Sequence, residues 1–400
     1  MVNWCNAMME SLLVVGFNAR PIAAQAKKCG FRVFAVDYWG DVDIYMWVDD
    51  VVVIREHAEP HADFAEAAVQ LSQRIAQKYG IDGVLIGSGL DDRWDCLEKI
   101  QDIAPIIGNT PSKVRRARNK VELYKALKRK MGINVPETIA VEDCREAIVA
   151  ARDLGFPVVV RREAGGGGLG VHLARDEDDV KRLFHYLCKG ACRVIVQEYV
   201  IGEDVSASVL CDGEKAVTLT VNRQLIGVPW LGGKEFIYCG NVVPHELEEV
   251  CRVTGKVAEE ICKFLGLVGS NGVDFVLREG EPVFIEVNPR FQGTIECVSM
   301  VTGMNIVEKH IEACHGVLPE KVTVKEFAAK GIVYAKEKSV VPDLKGLPCL
   351  YDITKPGEIV DAGRPICSIQ LTASTPEHCI RRLRELAEVV YGKLVLIRDE

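Results

Sequence analysis

Two stretches of this 400-residue chain combine residue types and spacings that can do chemistry. Residues 158–170 read Val-Val-Val-Arg-Arg-Glu-Ala-Gly-Gly-Gly-Gly-Leu-Gly, an apolar run that opens into glycines. Gly165, Gly166, Gly167 and Gly168, with Gly170 after them, permit positive φ and let backbone N–H groups approach an anion with no Cβ in the way. Such a turn can cover a triphosphate. It is not a Walker loop, since no Gly-Lys-Ser or Gly-Lys-Thr follows, and a flexible surface loop is the competing reading of a glycine run taken alone.

The second stretch runs from Asp274 to Arg290 and closes on Glu286-Val287-Asn288-Pro289-Arg290. A hairpin turning over residues 278–282 sets Asp274 opposite Glu286. Period-two alternation then puts Glu286 and Asn288 on one face and points Val283, Ile285 and Val287 into the core. Directly paired side chains have Cβ atoms about 5 Å apart, which suits joint coordination of Mg2+. Without a cation Asp274 and Glu286 would repel each other, a placement that packing alone does not explain. Arg290 offers a planar cation to a carboxylate or a developing phosphate charge. An exposed hairpin with a wet polar face is the plain alternative.

The elements that must hold these residues follow from the apolar pattern. Residues 12–16, a helical run at 22–29 and residues 31–37 form a β-α-β unit ending in an acid, and 51–54, a helix at 63–79 and 83–89 continue the alternation, so a parallel sheet covered on both faces is expected. Gly16 stands alone where Gly-x-Gly-x-x-Gly would be needed, which argues against NAD. The first unit ends near residues 109–111. A helix over 112–131, with Ser112 as cap, leads into a small α/β unit at 135–199 of the size of a lid. Strands at 205–210 and 216–221, a helix at 245–265 and the acidic hairpin build a second layer, and residues after 320 restart the pattern as a small C-terminal unit. The fold class is therefore α/β and α+β in several domains, divided at 1–111, 112–320 and 321–400.

Bulk properties narrow the partners. An apolar content of 48% with 26% charged residues is that of a globular protein, and a net charge of −8 argues against a broad nucleic-acid surface. The basic run from Lys113 to Lys120, with Lys125, Lys128, Arg129 and Lys130 behind it, reads mainly as a solvated helix face, Lys120 excepted. Fifteen cysteines without a Cys-x-x-Cys pair predict reduced, mostly buried thiols and a cytoplasmic protein. No apolar run of about 20 residues occurs, so no membrane span is expected, and the N-terminus lacks the basic start of a signal peptide. Among the histidines only His172 stands where it can meet a ligand, and packing is its commoner role.

In this order the residues resemble the ATP-grasp enzymes, the superfamily of biotin carboxylase, carbamoyl-phosphate synthase large chains, D-alanine ligase and many carboxylate–amine ligases. The likeness spans residues from about 12 to 320, and the tail resembles the C-terminal segment of the biotin-carboxylase branch. It implies a Rossmann-like domain ahead of the ATP-grasp fold, a mobile lid, and ATP between two α+β layers with Mg2+ (or Mn2+) beside it. Lys120 matches the first nucleotide-binding lysine. Glu198 and the backbone near Val200 match the adenine contacts, and Glu203 the ribose contact. Asp274, Glu286 and Asn288 match the metal ligands, and Arg290 the arginine beside the acyl phosphate. One departure stands out: Arg161 occupies the place of the second lysine, before the cofactor-binding glycines Gly165 to Gly168, and binds as a fork rather than a point charge.

The implied reaction is phosphorylation of a small-molecule carboxylate to an acyl phosphate, which an amine or thiol then attacks, with Lys120, Arg161 and Arg290 catalytic. A bicarbonate-activating carboxylase and a non-catalytic ATP-binding sensor are the alternatives. Asn18, Arg20 and the loop at 87–92 face where family members bind substrate, and the resemblance points to a homodimer. No Met-Lys-Met is present, so the chain is not itself a biotin carrier.

Overall fold

The computed structural model describes residues 9–59, 62–188 and 193–397. Its N-terminal strands are runs such as Leu12 to Val15 and Val33 to Val36 that are buried on both sides, as a doubly covered parallel sheet requires. The strands lie in the order Asp50–Val53, Arg32–Asp37, Ser11–Gly16, Gly83–Ile86, all parallel. The acid that closes the second strand has a structural job. Asp37 accepts from the N–H groups of Ala19 (2.7 Å) and Gly40 (2.6 Å) and so fixes the start of helix Arg20–Lys28.

The expected helix over 112–131 is two helices, Pro111–Arg118 and Lys120–Met131. Asn119 between them takes ψ 84° and its side chain accepts from the N–H of Glu122, which starts the second helix afresh. The cap of the first is Thr110, ahead of Pro111, rather than Ser112.

Strands Thr138–Val141, Val194–Glu198, Val158–Arg162 and Val171–Ala174 form an antiparallel sheet in that order. Helices Cys144–Leu154 and Glu177–Leu187, capped by Asp143 and Asp176, share one apolar core with it. These strands and helices make one α/β unit between residues 138 and 198.

The main sheet has eight strands: Glu281–Asn288, Val268–Arg278, Glu203–Asp212, Ala216–Ile226, Tyr238–Val243, Phe327–Tyr334, Pro365–Ala373 and Leu350–Tyr351, each antiparallel to the next. Three of them come from beyond residue 320, so the tail continues the sheet. Helices Lys120–Met131 and Glu248–Leu265 pack on one face of its first half. Helices Ile295–Thr302 and Ile306–Cys314 join helix Arg20–Lys28 in a core with the other face. Among the described residues no helix is long and apolar enough to cross a membrane.

Candidate active site

Between the four-stranded antiparallel sheet and the main sheet lies a cavity of about 410 Å³, lined among others by Arg161, Gly166, Gly168, Asp274, Glu286 and Arg290. Its floor is the acidic hairpin. Asp274 pairs with Glu286 in the register read from the sequence, but the next pair is Phe275 with Phe284, so Ile285 is an extra residue. That β-bulge breaks the alternation. Phe284 and Val287 enter the helix-side core, whereas Ile285 and Val283 pack with Val200 and Val276, and Ile285 lines the cavity beside Glu286. The expectation that Val283 and Ile285 point into the same core as Val287 is thereby corrected.

Three cations converge on Glu286. Lys120 Nζ donates to its Oε2, Arg118 Nη1 lies 3.8 Å from the same oxygen and Arg161 Nη2 lies 3.9 Å from it. The helix break at Asn119 lets Arg118 and Lys120, on either side of it, both turn inward. Burial alone would raise the Glu286 carboxyl, but Lys120, then Arg118 and Arg161, hold it well below the ordinary range. Burial brings the Lys120 ammonium down to about 8 in spite of Glu286.

Asp274 behaves oppositely: burial first, then Glu286, push its carboxyl up to about 7. Asn288 Nδ2 donates to its Oδ2 (2.8 Å) and Gln224 Nε2 to its Oδ1 (3.1 Å). Two carboxylates and an amide thus stand together as an all-oxygen donor set, the kind that fits a hard divalent cation such as Mg2+. Such a cation would offset both causes of the raised Asp274 carboxyl, its burial first and the Glu286 charge second.

Arg290 donates from Nε to Asp91 (2.8 Å), from Nη1 to the Phe291 carbonyl (2.8 Å) and from Nη2 to Asn288 Oδ1 (3.3 Å). Two of its five N–H groups are left over for a ligand. Above the floor, the Tyr238 N–H donates to the Gly167 carbonyl at 3.3 Å. Gly168 takes φ +80°, and a Cβ there would lie 1.8 Å from the Phe236 carbonyl oxygen, so only glycine fits.

Other expected site residues are placed differently. Val200 and Glu198 both line the cavity, where the Glu198 carboxylate is engaged by Arg278 and by the Glu137 N–H (3.1 Å). Glu203 turns to His245 (3.3 Å), while Asp204, its neighbour, lines the cavity with its carboxyl raised to about 6 by burial and then Glu203. Gly165 spends its N–H on Asp92 (2.7 Å) instead of facing the cavity. His172 pairs with Glu235 (2.9 Å). Arg20 is 1% exposed and locked among acids, so it is not open to a substrate.

Arg118, Gln224 and Asp204 are the residues that sequence reasoning missed. Arg118 had no mark to set it apart from Arg115, which stacks on Trp94 (4.5 Å), or from Arg116, which bonds the Phe264 carbonyl. Asp204 did have one: Val205, Ala207 and Val209 are the core face of that strand, which assigns Asp204, Ser206 and Ser208 to the other.

Residues 117–294 match the family profile of the ATP-grasp domain. The chain carries an ATP-grasp domain. Over 369 residues it is 26% identical to an uncharacterised protein of Methanocaldococcus jannaschii, covering 89% of this chain and 87% of that one. The carbamoyl phosphate synthase large chain of Lachnoclostridium phytofermentans is 28% identical over 221 residues, which are 54% of this chain and 20% of that one, so this chain's likeness spans about a fifth of that relative. Among solved structures, the biotin carboxylase domain of 2-oxoglutarate carboxylase from Hydrogenobacter thermophilus, in complex with MgADP, ADP and bicarbonate, aligns with a TM-score of 0.77 at 17% identity over 98% of this chain and 91% of that one. The L-amino acid ligase from Bacillus licheniformis aligns with a TM-score of 0.74 at 16% identity over 99% of this chain and 100% of that one. At such identities the likeness is one of fold.

Proposed function

We propose that this ATP-grasp chain is an ATP-dependent ligase that turns a small-molecule carboxylate into an acyl phosphate and passes the acyl group to an amine or thiol, releasing ADP and phosphate. The observation that carries this reading is the convergence of Lys120, Arg118 and Arg161 on Glu286, next to Asp274 and Asn288, beneath a glycine turn.

In this reading the apolar wall formed by Val200, Val276 and Ile285 takes the adenine, and Asp204 takes the ribose hydroxyls in place of Glu203. Lys120, Arg161 and the amides of Gly166 to Gly168 spread the charge of the transferring phosphoryl group. Asp274, Glu286 and Asn288 hold Mg2+, which supplies charge neutralisation to the phosphates. Arg290, aimed by Asp91, directs its two spare N–H groups at the carboxylate being activated. The lid keeps water from the acyl phosphate, which would otherwise hydrolyse.

The test is ADP release from Mg·ATP with pooled carboxylates and amines, and a separate arm with bicarbonate. Release that needs both a carboxylate and an amine or thiol is the expected result. Release driven by bicarbonate would replace the reading with a carboxylase, and nucleotide binding without turnover in any pool would replace it with a sensor.

A further inference from the structure

The loop after strand Gly83–Ile86 ends in two consecutive acids that grip different parts of the site. Asp91 holds Arg290. Asp92 takes the Arg118 guanidinium as a fork, at 2.8 Å from Nε and 3.1 Å from Nη2, and its Oδ2 also accepts from the Gly165 N–H at 2.7 Å. Arg118 in turn donates to the carbonyls of Gly165 (2.6 Å) and Val287 (3.3 Å). Both backbone groups of the first glycine in the run are therefore held by an ion pair that starts in the N-terminal sheet's loop.

Four consecutive glycines have the most conformational freedom to lose on ordering, so a turn made of them needs an external anchor. Charge-assisted bonds supply a strong one. The same pair guards the floor: Arg118 lies 3.8 Å from Glu286, and with Asp92 gone its guanidinium would close on that carboxylate.

We propose that Asp92 is a positioning residue of the nucleotide site, acting through the Gly165 backbone to seat the glycine turn and through Arg118 to keep Glu286 available. The proposal rests on the nucleotide reading given above for what the site binds. It leaves the amides of Gly166 to Gly168 for phosphate and gives Gly165 a mechanical role. Because Asp91 is the adjacent residue, a shift of this loop moves the glycine turn and Arg290 together.

The test uses the full chain with Asp92→Ala and Asp92→Asn. Three quantities are read: amide hydrogen exchange over residues 163–170 without nucleotide, the Kd for Mg·ADP by calorimetry, and the Tm. Asp92→Ala is expected to speed exchange in that segment and to raise Kd, each by roughly tenfold, the size of one charge-assisted bond, and to lower Tm because the buried Arg118 loses its fork. Asp92→Asn keeps an acceptor for the Gly165 N–H, so exchange should return toward wild type while Kd stays severalfold high, which a general loss of stability would not produce. If the alanine variant does not fold, the asparagine variant decides. Exchange and Kd both within twofold of wild type would overturn the proposal. Failure of the wild type to bind Mg·ADP would sink the nucleotide reading, and the exchange measurement would still judge the anchor.

Discussion

Glu286→Gln is expected to lower ATP turnover by about a hundred- to a thousandfold, the scale seen when one preorganised electrostatic contact is lost from a site. The substitution keeps shape and removes one charge, so the loss isolates electrostatics from packing. Glu286 faces Lys120, Arg118 and Arg161 at once, and it is the carboxylate held ionised beside an Asp274 whose own carboxyl is raised to about 7. Removing it would leave the proposed Mg2+ with one ionised ligand fewer and leaves the three cations unbalanced. Breaking a buried pair on one side generally costs about 3–5 kcal/mol. Here the loss is cushioned, because the Lys120 ammonium already sits at about 8 and can shed its proton once Glu286 is neutral. The variant should therefore stay folded, with weaker Mg2+ binding and little ADP release at saturating Mg·ATP. Turnover within threefold of wild type would remove Glu286 from the chemistry.

How far the sequence shows this site depends on whether each residue is placed by its neighbours or from afar. The facing of Asp274 and Glu286 was legible from the length of the hairpin, but only because two offsets cancel: the turn at Glu279 (φ 53°) and Gly280 (φ 86°) pairs Arg278 with Glu281, which alone would set Asp274 opposite Ile285, and a bulge restores Glu286. The bulge at Ile285 was not, since apolar residues on both sides of it suit either face. The parallel strands were legible as apolar runs. The helix break at Asn119 was hidden because no Pro or Gly marks it, and with it went the inward turn of Arg118. The cavity-facing place belongs to Asp204 and not to its neighbour Glu203, a phase that the buried Val205 and Ala207 could have set. The ties of Asp92 to Gly165 and of Arg20 to Glu296 and Asp352 cross 73, 276 and 332 residues, and no local pattern encodes them.

Arg20→Ala is expected to destabilise the protein by about 3–5 kcal/mol, because it strands buried acids instead of merely removing a contact. Arg20 forks onto Glu296 (2.7 and 2.6 Å), donates from Nε to Asp352 (2.6 Å) and lies 3.3 Å from Asp43. Lys330 lies 3.5 Å from Asp352, and Gln370 Nε2 donates to Glu296 at 2.6 Å. The cluster joins the N-terminal sheet, the helix that leaves the site at residue 295 and the tail strands. Burial would raise Glu296 and Asp352, but Arg20 holds both below their ordinary values. Their pairing therefore stabilises the fold above the ordinary carboxylate range and is lost as pH falls through the lowered values. In the variant burial acts unopposed by Arg20, so the gap between wild type and variant should widen from about pH 4 toward pH 7. Arg20→Lys keeps the charge but cannot reproduce a fork plus a third bond, so it should recover only part of the loss. Chemical denaturation at pH 5 and pH 7.5 separates the cases. A gap that stays constant with pH would mean that packing of the arginine stem, and not its charge, holds these three parts together.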